Sequence, residues 1–158
     1  MTILTNRVIY WTEWSHNVAR IKRVSMDGAR STLTTLHQNN LKQPYAITID
    51  FDEQVLYWAD LSLKRVECSN VDGSNRNVVI SSGLERPFDL TLFGDILYVS
   101  DLDLGILAAN KSGGVPVEAV YVFCDHISSY GIQVIAEERQ LLGKNMTEVL
   151  YVLSLIHI

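Results

Sequence analysis

Val55-Leu56-Tyr57-Trp58-Ala59-Asp60 is an apolar run, rich in β-forming side chains, that ends on a carboxylate. The run recurs. Val8-Ile9-Tyr10-Trp11-Thr12-Glu13 precedes it and Ile96-Leu97-Tyr98-Val99-Ser100-Asp101 follows it, so the tyrosines fall 47 and 41 residues apart. A second landmark trails each run: Met26-Asp27-Gly28, Val71-Asp72-Gly73 and Lys111-Ser112-Gly113. A third leads in, Leu41-Lys42-Gln43-Pro44-Tyr45 and Leu84-Glu85-Arg86-Pro87-Phe88, with a degenerate copy at Ile127-Ser128-Ser129-Tyr130. Three landmarks in fixed order, at a period of just over 40 residues, mark an array of stacked units.

One unit reads as four short strands. Tyr45-Ala46-Ile47-Thr48-Ile49-Asp50 alternates apolar with small or polar residues, the pattern of a half-buried strand. Asp52-Glu53 is a polar turn, and the continuously apolar Val55-Leu56-Tyr57-Trp58 fits a strand packed on both faces. Lys64 to Asn70 gives a third strand, Asp72-Gly73 a hairpin turn, and Asn77-Val78-Val79-Ile80 a fourth. Four antiparallel strands in about 43 residues make one propeller blade. No stretch keeps a helical period over three turns, and an immunoglobulin-like sandwich would not repeat these landmarks. The expected fold is all-β, a partial propeller with an incomplete ring.

The chain has 158 residues, 47% hydrophobic and 20% charged, a globular balance. Its net charge of −5, without a basic cluster, argues against a nucleic-acid partner. Cys68 and Cys124 form neither a C-x-x-C nor a zinc pattern, and their different places within the repeat argue against a disulfide between them. Two N-glycosylation sequons occur, at Asn110 and Asn145. The N-terminus does not read as a signal peptide. The apolar tail from Val149 to Ile158 has ten residues, short of the roughly 20 that span a bilayer.

These residues resemble the YWTD, or class B, repeat of the low-density lipoprotein receptor family. The resemblance runs from about Ile3 to Gln140. It is carried best by Val8 to Trp14, Arg20 to Gly28 and Leu84 to Tyr98. It implies a six-bladed propeller followed by an epidermal-growth-factor-like module. It also implies an extracellular or lumenal, protein-binding part of a single-pass receptor, active in ligand binding, endocytosis or Wnt co-receptor signalling. Its partners would be protein ligands, the missing blades and the adjacent module. A secreted, matrix-binding propeller of the nidogen type is the alternative. Glu13 stands where the motif has Asp, Ala59 where it has Thr, and Val99 in the Trp slot, so the third blade is expected to pack less well.

By this alignment residues 41–83 and 84–125 are blades. Residues 1–40 are an incomplete blade without an inner strand, because Met1 aligns with Thr48. Residues 126–135 give a single strand that would join the first blade and close the ring. Residues 136–158 are an exit segment and an atypical tail that breaks the pattern, as truncation, splicing or chimerism would.

No catalytic motif is present, and no cofactor or metal site is expected. His16, His37, His126 and His157 share no motif and read as surface or turn residues. Asp101-Leu102-Asp103-Leu104-Gly105 lacks the remaining ligands of a calcium loop. Tyr10, Trp11, Tyr57, Trp58 and Tyr98 read as core. Glu13, Asp60 and Asp101 could attract a basic ligand or bridge strands or blades, with Arg20 and Arg65 as partners; the structural role is expected. Trp14 follows the motif at a strand end, where Leu61 and Leu102 stand in the other copies. An apolar residue there in every copy fits a ligand face, although burial between blades would also explain it.

Overall fold

The computed structural model describes residues 2–5, 7–113, 118–121, 131–136 and 150–153. Three four-stranded antiparallel sheets follow in chain order. Sheet 1 holds β1 (Thr2–Thr5), β2 (Val8–Ser15), β3 (Val18–Ser25) and β4 (Thr34–His37). Sheet 2 holds β5 (Pro44–Asp50), β6 (Val55–Asp60), β7 (Arg65–Asn70) and β8 (Asn77–Ile80). Sheet 3 holds β9 (Pro87–Phe93), β10 (Ile96–Asp101), β11 (Gly105–Asn110) and β12 (Glu118–Tyr121). A fourth sheet pairs β13 (Gln133–Ala136) with β14 (Leu150–Leu153). These are the blades of a partial β-propeller.

The continuous apolar run of the second strand has a direct cause. Successive side chains of a strand point to opposite faces. Leu56 and Trp58 face sheet 1, joining Ile47 and Ile49 against Tyr10 and Ile21. Tyr57 and Ala59 face sheet 3, joining Ala46, Val66, Val79 and Ile80 against Leu84, Leu90, Leu97, Val99, Leu107 and Ala109. The core therefore lies between blades, and a blade is stable only beside its neighbours. Each large side chain so buried stabilises the stack by about 1.5–3 kcal/mol. Val99, in the Trp slot of the third copy, is itself fully buried.

Sheet 1 lacks a preceding neighbour among the described residues, and its second strand shows it. Trp11 is only half-buried, where Trp58 is fully buried, and Lys22 lies 5.9 Å from its ring centroid.

Two sequence expectations need correction. Residues 1–40 do not lack an inner strand: β1 pairs with β2, with Ile3 opposite Tyr10 as Thr48 is opposite Tyr57. The β1–β2 connection has two residues where β5–β6 has four, so alignment on equal spacing slipped by two. Secondly, the strand after position 130 does not join sheet 1. It spans Gln133–Ala136, and its hydrogen-bonded neighbour is β14 in the apolar tail. Ile135 stands opposite Tyr151 and Val134 opposite Val152, as Thr91 stands opposite Tyr98 and Leu90 opposite Val99. Within the tail, β14 thus takes the place of a second strand beside an inner strand. β13 is held beside β9, where the Ile132 N–H donates to Asp89 Oδ2 at 2.9 Å.

The glycine of the second landmark is a backbone requirement. Gly28, Gly73 and Gly113 have φ of 75°, 92° and 85°, a conformation that costs other residues strain. At Gly113 a Cβ would also stand 2.7 Å from the Val79 carbonyl oxygen of sheet 2, so close blade packing adds a second reason for glycine.

Candidate functional site

The end of each second strand carries the recurring carboxylate. Asp60 is fully buried and accepts three backbone N–H groups: Lys42 at 2.7 Å, Gln43 at 3.1 Å and Leu63 at 3.0 Å. Asp101, equally buried, accepts four: Glu85 at 2.8 Å, Arg86 at 2.9 Å, Asp103 at 3.0 Å and Leu104 at 3.2 Å. Each carboxylate ties the segment leading into its blade to the turn that follows its own strand. Neither is presented to a ligand.

Glu13 behaves differently. It is partly exposed and pairs with Arg20 at 3.4 Å and Lys22 at 3.2 Å. Arg20 is thus a partner as expected from sequence, but Arg65 is not the partner of Asp60. Arg65 donates to Glu67 Oε1 at 3.0 Å and to the Asn40 carbonyl at 3.0 Å. Asp103 is held by the Arg86 guanidinium through two contacts of 2.6 and 2.5 Å, so both carboxylates of the Asp101–Gly105 turn are already occupied.

Two further clusters join blades, and no spacing of residue types marks either. At the rim between sheets 1 and 2, the His37 ring lies 5.1 Å from the Trp58 ring and the Arg76 guanidinium 5.5 Å from it. His37 Nε2 is 3.0 Å from Ser69 Oγ. Arg76 donates to Glu67 at 2.8 Å and to the Asn39 carbonyl at 2.6 Å. The Trp58 indole N–H has no hydrogen-bond partner among the described residues, so packing and ring contacts hold it. His37 is buried, against the expectation of a surface histidine; His16 is exposed, and His126 and His157 lie outside the described residues. Burial, helped by the Arg76 charge and opposed by Glu67, lowers the His37 pKa.

Between sheets 2 and 3, Lys111 Nζ meets Asp50 at 2.8 Å, Glu53 at 3.0 Å and Asp95 at 3.1 Å. Burial alone would raise the Asp50 pKa, but the Lys111 ammonium and the Glu53 N–H outweigh it and hold it down.

At the end of the sheets where the carboxylates sit, three aromatic rings form a row across three blades. Trp14 lies 5.0 Å from Tyr45, and Tyr45 4.6 Å from Phe88, centroid to centroid, in tilted pairs. Trp14 is 39% exposed; Tyr45 and Phe88 are half-buried. Trp14 is the last residue but one of β2, while Tyr45 and Phe88 each follow the proline that opens an inner strand. The antiparallel order brings these positions to one end of the sheets. Leu61 and Leu102 are half-buried on the same rim, where their N–H groups donate to the Gln43 and Arg86 carbonyls. The rings that continue the surface from Trp14 are therefore Tyr45 and Phe88. The signal was the Pro-aromatic dipeptide of the third landmark. Ion pairs border the row, Arg86 with Asp103 and Lys64 with Glu85. Such a row offers a flat, partly apolar platform with a charged rim, which suits a protein surface.

Among the described residues no group of three or more His, Cys, Asp or Glu could hold a metal ion. Asn110 is exposed at the opposite end of sheet 3; Cys124 and Asn145 lie outside the described residues.

A sequence profile of the low-density lipoprotein receptor repeat class B matches residues 7–51 and 54–93, just over half of the chain. The vitellogenin receptor Yl of Drosophila melanogaster is 36% identical over 94 residues, covering 60% of this chain and 5% of that protein. The human low-density lipoprotein receptor-related protein 5-like protein is 34% identical over 89 residues, covering 56% of this chain and 34% of that one. This chain therefore spans only a small part of the relatives it matches. Among solved structures, a chain of a nidogen/laminin complex superposes with a TM-score of 0.65 at 28% identity, over 75% of this chain and 46% of that one. A gluconolactonase from Xanthomonas campestris superposes with a TM-score of 0.64 over 84% of this chain and 48% of its own, but at 15% identity the likeness is one of fold alone.

Proposed function

The chain belongs to the low-density lipoprotein receptor class B repeat family, and from that premise we propose that it is an extracellular, protein-binding module of a lipoprotein-receptor-related cell-surface receptor. The observation that carries the reading is the Trp14–Tyr45–Phe88 row. The buried carboxylates Asp60 and Asp101 are engaged in tying loops together, and Tyr10, Tyr57 and Trp58 are engaged in the core. The row is the aromatic surface at that end of the sheets, with Trp14 exposed and the other two rings half-buried. Aromatic anchors at the centre of an interface, ringed by polar groups, supply most of the binding energy of typical protein complexes.

In the full-length chain the missing blades would cover the face that carries Trp11, and an epidermal-growth-factor-like module would follow. Ligand uptake by endocytosis or Wnt-type signalling would be the receptor's use of the site. No helix among the described residues is long and apolar enough to cross a membrane. The relative named a vitellogenin receptor favours a receptor. The 28% identical chain of the nidogen/laminin complex supports a second reading, a secreted propeller that binds matrix protein.

The test uses the chain completed with its flanking blades, titrated separately onto immobilised vitellogenin and laminin. Tyr45→Ala should weaken the productive interaction at least tenfold while leaving the melting temperature within a few degrees of the parent. Binding of vitellogenin supports the receptor reading and binding of laminin the matrix reading. Full affinity retained by Tyr45→Ala, Trp14→Ala and Phe88→Ala together would remove the row from the interface.

A further inference from the structure

We propose that Asn110 is an acceptor for N-linked oligosaccharide, placed on the face of the propeller opposite the aromatic row. The proposal rests on the extracellular reading above, because the modification requires entry into the secretory lumen.

Asn110 ends β11 opposite Ile96, the first residue of β10. Trp14, by contrast, stands one residue before the end of a second strand, so the two residues lie at opposite ends of their blades. Within Asn110-Lys111-Ser112 the three side chains divide their tasks. Lys111 is turned into the cleft between sheets 2 and 3 by Asp50, Glu53 and Asp95. Asn110 and Ser112, on either side of it, are exposed. The Asn110 Oδ1 accepts the Ser112 N–H at 2.8 Å, and the Gly113 N–H donates to the Asn110 carbonyl at 3.0 Å. Among the described residues, the Asn110 side chain bonds only within its own turn. A sugar on Nδ2 would therefore displace no contact between blades.

The same turn in the other blades lacks the acceptor. Sheet 1 has Ser25-Met26-Asp27, with no asparagine. Sheet 2 has Asn70-Val71-Asp72, with no hydroxyl at the third position, and its Asn70 Nδ2 donates to Ser74 Oγ at 2.9 Å. The third blade alone, among these three, combines asparagine, hydroxyl and exposure.

In the transfer, Asn110 Nδ2 attacks the anomeric carbon of an oligosaccharide carried on a polyprenyl pyrophosphate. The new C–N bond forms as the C–O bond to pyrophosphate breaks. The Nδ2 proton passes to a base of the oligosaccharyl transferase, and the polyprenyl pyrophosphate departs. No oxidation or reduction is involved. The glycan would cover the end of the blade away from Trp14, Tyr45 and Phe88, leaving that row open.

The experiment expresses the full chain behind a cleavable secretory leader in insect cells, with Asn145→Gln leaving a single sequon. Leader cleavage and protection from added protease establish lumenal entry. We expect a mobility shift removed by a peptide N-glycosidase, a deamidation mass tag at position 110, and loss of both in Asn110→Gln and in Ser112→Ala. A lumenal single-sequon chain without the shift overturns the proposal. If the leader-fused chain is glycosylated while the native protein from its own tissue carries no glycan, the acceptor geometry stands and the extracellular reading fails.

Discussion

Asp60→Ala should destabilise the completed propeller by about 3 kcal/mol. The side chain is fully buried and accepts three backbone N–H groups, from Lys42, Gln43 and Leu63. A hydrogen bond to a charged group is worth about 1.5–3 kcal/mol, so a simple total would be larger. The loops can relax, however, and Lys42 lies at the surface, where its freed N–H regains water. For a domain of the size of a closed propeller, the loss corresponds to a fall of roughly 6–12 °C in Tm. Asp60→Asn should fall between parent and Ala, because one oxygen still accepts while the amide NH2 opposes the remaining donor. Asp101→Ala, which frees four donors, should cost at least as much. Glu13→Ala is the internal control: a partly exposed ion pair whose loss should stay within about 1 kcal/mol. Calorimetry and urea titration of the four variants read these differences. An Asp60→Ala protein that melts with the parent but no longer binds ligand would show that the carboxylate is a contact residue and that the loop-tying assignment is wrong.

Expressed without flanking blades, the chain should self-associate, because among the described residues no sheet covers the blade face that carries Trp11; a sharp two-state melt from a soluble monomer would contradict this. His37 makes stability depend on pH. Its pKa is lowered in the folded state by burial, with the Arg76 charge adding to the shift and Glu67 opposing it. Its contribution is therefore fully present above the unfolded value of about 6.5 and is lost as pH falls toward the folded value. Urea midpoints between pH 7.5 and 5 should fall less steeply for His37→Gln than for the parent, and equal slopes would refute the role. Asp89 should act with the opposite sign. Burial raises its pKa despite the Ile132 and Leu90 N–H groups that bond it. Relative to Asp89→Asn, the parent should gain stability as pH drops through the carboxylate range, and a loss would overturn that sign.

The repeat was legible because stacking dictates it. Leu56 and Tyr57 must both be apolar when each faces a different blade, and Gly73 must follow Asp72 for the turn to close. The carboxylate row was legible as a recurrence, but its partners were not. Backbone N–H groups are present at every position and leave no mark in the residue types. The inner strand of sheet 1 was missed because two residues fewer in a turn shift an alignment built on equal spacing. The β14 strand was missed because residues 137–149 separate it from β13, where the other inner hairpins need two to four. Lys111, Asp50, Glu53 and Asp95 come from two blades, as do His37, Trp58 and Arg76, and no spacing rule joins them. The ligand face was half legible: Trp14 was visible at its strand end, whereas Tyr45 and Phe88 join it only once three blades stand side by side.

The central claim is that the end of the propeller carrying the aromatic row is the end that binds protein. Hydrogen–deuterium exchange of the completed propeller, with and without whichever of vitellogenin and laminin it binds, tests it most directly. Bound ligand should slow exchange in residues 14–17, 41–45 and 84–88, and leave residues 51–54, 71–74 and 110–113 unchanged. Protection confined to the second set would place the partner on the opposite face and contradict the account.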